Sequence, residues 1–348
     1  MAVLKVSGIV LPQREPRTFW IDGDRLRLDP VPHAETVVDG GFLLPGLVDV
    51  HTHPGSEQPG DPFDEELLRR HLTDHRDAGV LAVRTPGSVA RLPGWAYQDA
   101  GLPRIQSAGR WLAPPEMFFA GHGRDVTLDE LVAAAVEEAT AANGWCKVIG
   151  DWMEGQEVPA ELLRAVVEAV HGIGGRVAVH ATTTLGCHHA VMAGADSLEH
   201  GMYLDPGLLD RMAAQGTALV PTLTPFARGV EGAYKADPSP RRDWFVRGWE
   251  GMFAKIRSAH EAGVTILAGT DSFPCGTVAG EVDLLIQAGL PVEVALGAAC
   301  WTARSFLGLA GLGDGAPADL LAYDTDPVLE PAVLAHPSRI ILRGKVIR

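Results

Sequence analysis

The chain has 348 residues, of which 46% are hydrophobic and 21% are charged, and its formal net charge is −15 at neutral pH. This balance is typical of a globular protein with a large core and excludes general disorder. So acidic a chain offers no basic face for phosphates, and we expect no nucleic-acid partner. The length predicts one large domain with a small satellite.

The four cysteines are widely scattered and form no CxxC pair. Neither a zinc-thiolate knot nor a disulfide framework is therefore predicted. The first 20 residues lack the apolar core of a secretory signal, and no run of about 18 apolar residues occurs anywhere. We expect a cytoplasmic protein with a small-molecule substrate and no membrane partner, and a homo-oligomer is compatible with this composition.

The two ends of the chain have β character. Residues 2–11 and 17–28 predict hairpins, because Gly and Asp turn signals separate the apolar runs. Residues 318–324 and 339–348 return to the same pattern. Neither end alone holds enough strands to be stable, so we expect them to form a small β-sandwich together.

From about Leu43 short apolar runs alternate with helical segments, which predicts repeated βα units and a parallel sheet. Helix-start signals include the Thr127/Glu130 capping box, Pro159 and Asp205. Glycines 79, 172, 194, 216 and 263 are expected to end helices. The eight predicted strands are residues 44–53, 80–87, 103–110, 146–151, 176–181, 196–201, 217–222 and 264–271.

Eight such strands predict an α/β fold of the (β/α)8 TIM-barrel type. Two further helices are expected over residues 277–290 and 291–309. The predicted domains are 1–43 and 313–348 for the β-sandwich and 44–312 for the barrel. The segment after strand seven, residues 223–244, is long enough for a lid loop. Its Phe226, Tyr234 and Trp244 indicate an apolar or aromatic substrate group, unless they only pack the lid.

Metal-capable side chains occupy the carboxyl ends of the predicted strands, which meet at one mouth of a barrel. Each has an ordinary alternative: the histidines could be core residues, the aspartate a helix N-cap, and the lysine a paired or snorkelling residue. Their joint placement on five strands favours a common site. The residues are His51, His53, Lys147, His180, His200 and Asp271.

The motifs "VDVHTH", "VAVH", "SLEHG" and "AGTDS", in this order within eight βα units, resemble those of the metal-dependent amidohydrolase superfamily. The likeness is strongest to its imidazolonepropionase-like and Xaa-Pro dipeptidase branch. It extends over nearly the whole chain, because "GLGDGAPADLLAYDTDPV" and "IILRGKVI" resemble the family's return to its sandwich.

The resemblance implies that His51, His53, His180, His200 and Asp271 bind two divalent metal ions, with Zn(II) the first candidate. It also implies a carboxylated Lys147 as bridging ligand. The loop at His122 would match a substrate-contacting element of the family, although a solvated turn histidine is the alternative. Tyr203, just after His200, is a second candidate substrate contact.

The chemistry implied by this site is hydrolysis of an amide, dipeptide or cyclic amide by a metal-bridging hydroxide, with Asp271 as proton shuttle. Lactone, ester or phosphotriester hydrolysis would use the same ions, and a non-catalytic binding scaffold is a third class. Deamination is disfavoured, because Thr183 stands where the family's deaminases carry a glutamate.

Four further polar residues receive structural predictions. His71 and His75 are four residues apart on a helix without the glutamate of HExxH, and are expected on the outer barrel surface. Arg84, at the end of the second strand, could bind a carboxylate, but we expect it in an internal ion pair. Asp49, two residues before His51 on an extended strand, is expected to support the metal ligands.

Overall fold

A computed structural model of the protein describes residues 3–58, 60–119 and 121–348. The strands within these ranges are β1 (Leu4–Val10), β2 (Glu15–Asp22), β3 (Arg25–Arg27), β4 (Glu35–Pro45), β5 (Leu47–Asp49), β6 (Val80–Thr85), β7 (Arg104–Ser107), β8 (Trp111–Ala113), β9 (Arg124–Asp125), β10 (Trp145–Ile149), β11 (Arg176–Ala181), β12 (Ser197–His200), β13 (Ala218–Val220), β14 (Leu320–Tyr323), β15 (Arg339–Leu342) and β16 (Lys345–Val346).

The α-helices of the same ranges lie mostly between the central strands. They are α1 (Glu65–Asp77), α2 (Gly94–Gln98), α3 (Leu131–Ala141), α4 (Ala160–Gly172), α5 (Thr184–Ala193), α6 (Leu209–Gln215), α7 (Leu223–Lys235), α8 (Pro240–Glu261), α9 (Val278–Gln287), α10 (Val292–Ala298) and α11 (Trp301–Phe306).

Both ends of the chain contribute to one seven-stranded sheet, in the order β16-β15-β14-β4-β1-β2-β3. The strands β1, β2 and β3 pair antiparallel, as the hairpin signals predict. The C-terminal β14 joins the N-terminal part by pairing antiparallel with β4. Val6, Phe19 and Ile341, from both ends of the chain, share one buried apolar cluster. The predicted association of the two ends therefore exists in the form of this sheet.

The central part of the chain forms two all-parallel sheets, β5-β6-β7 and β13-β12-β11-β10-β8-β9. Such sheets are covered on both faces, which explains their continuous apolar runs. The predicted third strand, residues 103–110, contains only β7, which pairs with β6; β8 begins after the predicted end and pairs with β10.

The predicted eighth strand, residues 264–271, is irregular. Its one β-bridge joins Ile266 to Leu219 of β13. The amide of Leu267 donates to the Leu219 oxygen, and the amide of Val50 donates to the Ala268 oxygen. This segment is therefore hydrogen-bonded to β13 on one side and to the chain after β5 on the other.

The connection after β13 is helical, whereas a loop is predicted over residues 223–244. The helices α7 and α8 occupy this stretch, joined by a short turn. The hydroxyl of Ser239 accepts from the Arg242 amide, and Pro240 is the first residue of α8. Serine followed by proline is a helix-start signal, so the sequence held the information for this helix.

The other helix-end predictions are mostly found. The Thr127/Glu130 capping box is present, Asp205 caps the turn before α6, and α4 begins directly after Pro159. Gly172 is an exception, because it is the last residue of α4 and the left-handed residue that follows is Gly174. The single helix expected over 291–309 is divided into α10 and α11. No helix in the described ranges combines the length and apolarity needed to cross a bilayer.

Candidate metal centre

All six side chains predicted at strand ends line one cavity of about 870 Å³. The two residues at positions 51 and 53 follow β5, and Asp271 follows the irregular segment 264–270. The other three belong to β10, β11 and β12. The residues are His51, His53, Lys147, His180, His200 and Asp271.

His51 and His53 form the closest pair at the cavity floor. Their Nε2 atoms are 3.1 Å apart. The Oδ1 atom of Asp271 lies 3.3 Å from Nε2 of His53 and 3.7 Å from Nε2 of His51. The Asp271 amide donates to the His51 oxygen at 2.7 Å. A Cβ on Gly269 would lie 2.4 Å from that of His51, so this close approach of the two segments requires glycine.

The opposite ring nitrogens of this pair are held by acceptors. Nδ1 of His51 is 2.7 Å from the Glu199 carboxylate, and Nδ1 of His53 is 2.9 Å from the Gly87 carbonyl oxygen. An ionised carboxylate and a carbonyl can only accept hydrogen bonds, so both Nδ1 atoms carry the hydrogen. Both Nε2 lone pairs are then directed at the same point, as in histidines that bind metals.

Glu199 is the site residue that the sequence reasoning missed. Its side chain and that of Arg84 are both fully buried, and they form an ion pair at 2.7 Å. Burial alone would raise the pKa of Glu199, but Arg84 and Lys147 hold that pKa well below its usual range. The predicted internal ion pair of Arg84 is thereby confirmed. The available signal was a glutamate inside an apolar strand, beside His200.

His180 and His200 lie next to this pair. Their ring centroids are 4.5 Å apart, and the rings of His200 and His51 are 5.2 Å apart. One ligand atom from each of His51, His200 and Asp271 lies within 4.8 Å of the other two. Burial lowers the pKa of His51 to about 4 and that of His180 to about 3. These imidazoles are neutral at pH 7, which is the form that binds a metal.

Asp271 is a carboxylate at neutral pH. Burial would raise its pKa, but the neighbouring His51 and His53 rings lower it to about 2. Its side chain keeps 26% of its surface exposed to the cavity, whereas that of Glu199 keeps none. Asp271 therefore combines a ligand-type position with access to a bound molecule.

Lys147 lies beneath the histidines and has only 1% of its surface exposed. Its Nζ atom has no hydrogen-bond partner among the described residues. Burial lowers the pKa of this amine to about 8. A buried amine without a partner is unusual, because an unmet hydrogen bond costs about 1–3 kcal/mol. The alternatives of an ion-paired or a snorkelling lysine therefore do not describe this residue.

Asp49 supports the site through the backbone. One of its oxygens accepts from the His51 and Thr270 amides, both at 3.1 Å, and the other accepts from the Thr270 hydroxyl at 2.6 Å. It thus joins the His51 backbone to the residue before Asp271. Asp49 does not contact an imidazole ring, whereas Glu199 does.

The cavity wall is largely aromatic. The Trp111 ring lies 4.8 Å from His53 and stacks on His122 at 4.6 Å, with an interplanar angle of 27°. His122 lines the cavity as predicted, and its Nδ1 accepts from the Gly60 amide at 3.3 Å. The other wall rings are Phe118, Phe119, Trp152, Phe226, Trp244, Phe245 and Phe273.

The structure does not bring Tyr203 to the cavity. Its hydroxyl donates to the Trp244 backbone oxygen at 2.6 Å, and the two rings stack with centroids 5.2 Å apart. Trp244 lines the cavity and Tyr203 is not among the lining residues. Tyr203 therefore lies behind a wall residue, and a direct contact with substrate would require the wall to move.

The prediction that His71 and His75 lie on the outer surface is wrong. Only 3% and 0% of their surfaces are exposed. The α1 face that carries them packs beneath the loops at the cavity mouth. The Gly55 amide donates to His71, and the Gly276 amide donates to His75. These histidines belong to the support of the loops.

The fold and the site geometry thus define an α/β protein with parallel strands and a histidine-rich cavity at the strand ends. The model of the Amidohydrolase family matches residues 42–347. The chain therefore belongs to the amidohydrolase family, whose members are generally metal-dependent, and the resemblance of its motifs is confirmed.

The comparisons with individual proteins agree with this family. An uncharacterised protein of Mycobacterium tuberculosis strain H37Rv is 38% identical over 357 residues, covering 98% of this chain and 95% of the relative. A Xaa-Pro dipeptidase structure with bound methionine has a TM-score of 0.84 at 23% identity and full coverage of both chains. Ochratoxinase of Aspergillus niger has a TM-score of 0.85 at 20% identity, covering 100% of this chain and 96% of that one. At these identities the two structures show the fold.

Proposed function

We propose that this protein is a metal-dependent hydrolase of amide-type carbon–nitrogen bonds. The observation that carries the proposal is the convergence of His51, His200 and the Asp271 carboxylate in the cavity that Lys147 also lines, its amine being without a hydrogen-bond partner among the described residues. Family membership supports hydrolysis of this bond class. The aromatic cavity above these groups supplies a place for a small-molecule substrate.

The donor set fits two divalent cations. Imidazole nitrogens with one carboxylate suit Zn(II), and Mn(II), Fe(II) or Co(II) satisfy the same criteria. We assign His51, His53 and Asp271 to one ion and His180 and His200 to the other.

The neutral Lys147 amine would add to carbon dioxide: an N–C bond forms, one C=O π bond opens to give a carboxylate oxygen, and the nitrogen releases a proton. The resulting carbamate would offer its oxygens as further ligands. The carbamate is too labile to survive tryptic digestion and mass spectrometry. Electron density at Nζ in a metal-loaded crystal would instead show whether Lys147 is carboxylated.

When bound here, divalent cations would lower the pKa of coordinated water and polarise the scissile carbonyl. The protein's own contribution is placement and proton transfer. Asp271 is ionised, open to the cavity and tied by its amide to His51, so it is placed to accept a proton and pass it to the leaving nitrogen. The Glu199 carboxylate and the Gly87 carbonyl keep His51 and His53 in the ligand tautomer.

The variant Asp271→Asn tests this assignment. General acid–base groups contribute about 100- to 10,000-fold to turnover, so kcat should fall by at least that factor. The fold should persist, as circular dichroism and the melting temperature would report. Asp283→Asn, an exposed change on α9, is the matched control and should retain full activity. Retained turnover in Asp271→Asn would refute the proton-shuttle role.

The cavity chemistry supports an amide that carries an aromatic group and a carboxylate. The rings of Phe118, Phe119 and Trp152 contact one another with centroids 4.9–5.3 Å apart. Arg228 also lines the cavity and donates to the Ser272 hydroxyl and the Phe273 oxygen. It has no carboxylate partner among the described residues, so its remaining N–H groups are available to an anion.

A substrate panel tests this preference. N-acyl amino acids with aromatic acyl groups should be hydrolysed faster than their aliphatic counterparts, and the free acids faster than their carboxamides. Lactones, esters and phosphotriesters belong in the same panel, because they could use the same ions. Faster turnover of these oxygen esters would favour that second function. Tight metal binding without any turnover would indicate a binding scaffold.

The fold proposal is a closed (β/α)8 barrel over residues 44–312, with a β-sandwich formed by 1–43 and 313–348. The hydrogen bonds of segment 264–270 to β13 and to the chain after β5 support the closure. The shared apolar cluster of the seven-stranded sheet supports the second unit.

A further inference from the structure

The turn between β13 and α7 has an unusual backbone. Only Pro221 and Thr222 separate the strand from the helix. Thr222 is fully buried and adopts the left-handed conformation, with φ 46° and ψ 55°. A β-branched residue in this region costs about 1–3 kcal/mol and persists only where its surroundings enforce it.

A carboxylate from another helix enforces this turn. Glu281 of α9 is fully buried and accepts from the Leu223 amide at 2.7 Å and the Thr224 amide at 2.8 Å. It also accepts from the Thr224 hydroxyl at 2.6 Å. These amides belong to the first turn of α7, and amides in the first turn of a helix have no acceptor within that helix. Glu281 therefore fixes the residues that directly follow Thr222.

The strained turn directs the Thr222 hydroxyl at a site histidine. Its Oγ1 atom lies 2.7 Å from Nδ1 of His200. His200 itself has a positive φ of 72°, so both partners depend on an enforced backbone. The Nδ1 atoms of His51 and His53 also have partners, the Glu199 carboxylate and the Gly87 carbonyl, which can only accept, whereas a hydroxyl can accept or donate. The hydroxyl is thus the third Nδ1 partner of the site.

We propose that Thr222 is a positioning residue that accepts the Nδ1 hydrogen of His200 and so directs the Nε2 lone pair at the cavity, with Glu281 maintaining the turn. The functional part of this inference rests on the proposed metal centre. The orientation of the ring is a property of the metal-free protein as well, and it can be measured separately.

The first experiment measures metal affinity. Zn(II) or Co(II) is titrated against a competing chelator with wild type, Thr222→Val and Thr222→Ser. Loss of a hydrogen-bond partner of a ligating histidine typically weakens metal binding about 10- to 100-fold, and we expect this for valine. Serine keeps the hydroxyl and should restore affinity to within a few-fold of wild type.

Thr217→Val is the matched control. Thr217 lies at the other end of β13, is buried, and donates its hydroxyl to the Ala195 oxygen at 2.7 Å. This variant should lose thermal stability like Thr222→Val but keep wild-type metal affinity. Equal affinity in Thr222→Val and wild type would overturn the proposal, and so would an equal loss of affinity in Thr217→Val.

A double-mutant cycle tests the path through Glu281. Glu281→Gln replaces an oxygen acceptor by an NH2 group and should weaken metal binding in the same direction. If Glu281 acts through Thr222, the double variant should bind metal no more weakly than Thr222→Val alone. Additive losses would show that Glu281 does not act by this path.

A second measurement separates this proposal from the metal centre itself. Histidine is labelled with 15N in the metal-free protein, and the His200 ring signals are assigned by their loss in His200→Ala. Wild type should show the hydrogen on Nδ1, and Thr222→Val should show a mixture of tautomers. A hydrogen on Nε2 in wild type would overturn the proposal. Wild type without metal affinity, but with the expected tautomer, would instead refute the proposed function alone.

Discussion

The protein contains two pairs of interior histidines that differ in hydrogen bonding, and of the four rings only that of His53 is half-buried rather than buried. In the strand pair, His51 and His53, each Nδ1 faces an acceptor and each Nε2 faces the cavity. In the helix pair, Nδ1 of His71 accepts from the Gly55 amide and Nδ1 of His75 accepts from the Gly276 amide.

The tautomers of the two pairs are therefore opposite. An Nδ1 atom that accepts a hydrogen bond leaves the hydrogen on Nε2 in a neutral ring. Nε2 of His75 then donates to the Thr52 hydroxyl at 3.1 Å, and Nε2 of His71 lies 3.4 Å from the Glu57 carboxylate. The helix pair has no lone pair left for a cation. It joins the loop after β5 to the loop after Asp271 instead.

The two pairs show that the partner of Nδ1 decides whether Nε2 keeps a lone pair toward the cavity or carries the hydrogen. Burial alone does not, because burial lowers the pKa of His51 to about 4 and that of His75 to about 3. Substitutions that replace one of these histidines, or the hydrogen-bond partner of its ring nitrogen, should therefore distinguish the two pairs.

The largest difference is expected between His53→Asn and His71→Asn. The first change removes a proposed ligand. The metal content should therefore fall below two ions per protein, and kcat/KM should drop by at least about 100-fold. The second leaves an amide oxygen that can accept from Gly55, and should keep both metal and turnover within a few-fold of wild type. Metal content by atomic absorption and kcat/KM on the best panel substrate are measured together. Equal losses of metal and of kcat/KM in both variants would show that the strand pair and the helix pair do not differ in function.

Glu199→Gln tests the tautomer more directly. Glutamine keeps the size of the side chain but can donate to Nδ1 of His51, which would allow the hydrogen to move to Nε2. We expect a metal affinity about 10- to 100-fold weaker, together with lower stability because Arg84 loses its buried ionic partner. Arg104, whose partner Asp319 is also buried, offers the control: Asp319→Asn should lower stability without changing metal affinity. Unchanged affinity in Glu199→Gln would show that this carboxylate does not set the tautomer.

Most of the residues of the candidate metal centre could be predicted from the sequence, because the strand ends of a parallel sheet meet at one edge. His51, His180 and His200 could be identified this way without any knowledge of their partners. Glu199 could not, since its role depends on the His51 ring, which follows β5, and on a guanidinium from β6, both distant in the chain.

The helix pair could have been predicted better. Leu68, His71, Leu72 and His75 are all buried, at spacings of three, four and seven residues. This is the pattern of a core-facing stripe, and the outer-surface prediction overlooked it. The break between β7 and β8 has no comparable signal, because it depends on which neighbouring strand each half pairs with.

The smallest expected effect is the pH dependence of stability caused by His75. Burial lowers its pKa from 6.5 to about 3 in the folded protein, so between these values the unfolded chain binds the additional proton. Its contribution to stability is complete above pH 6.5 and is lost as the pH falls toward 3. The loss can reach about 1.4 kcal/mol per pH unit for one such histidine.

His75→Asn should reduce this slope while keeping an acceptor for the Gly276 amide. Urea unfolding at pH 8, 7, 6 and 5 gives the free energy of unfolding of both proteins, and the site histidines contribute equally to each. At pH 8 the variant should be about 1–3 kcal/mol less stable, because the Thr52 bond and some packing are lost. The difference should then narrow as the pH falls below 6.5, since only wild type still has to keep this ring neutral. Two parallel stability curves would mean that His75 is free to take up its proton in the folded state, and the helix pair would lose its assignment as a neutral scaffold.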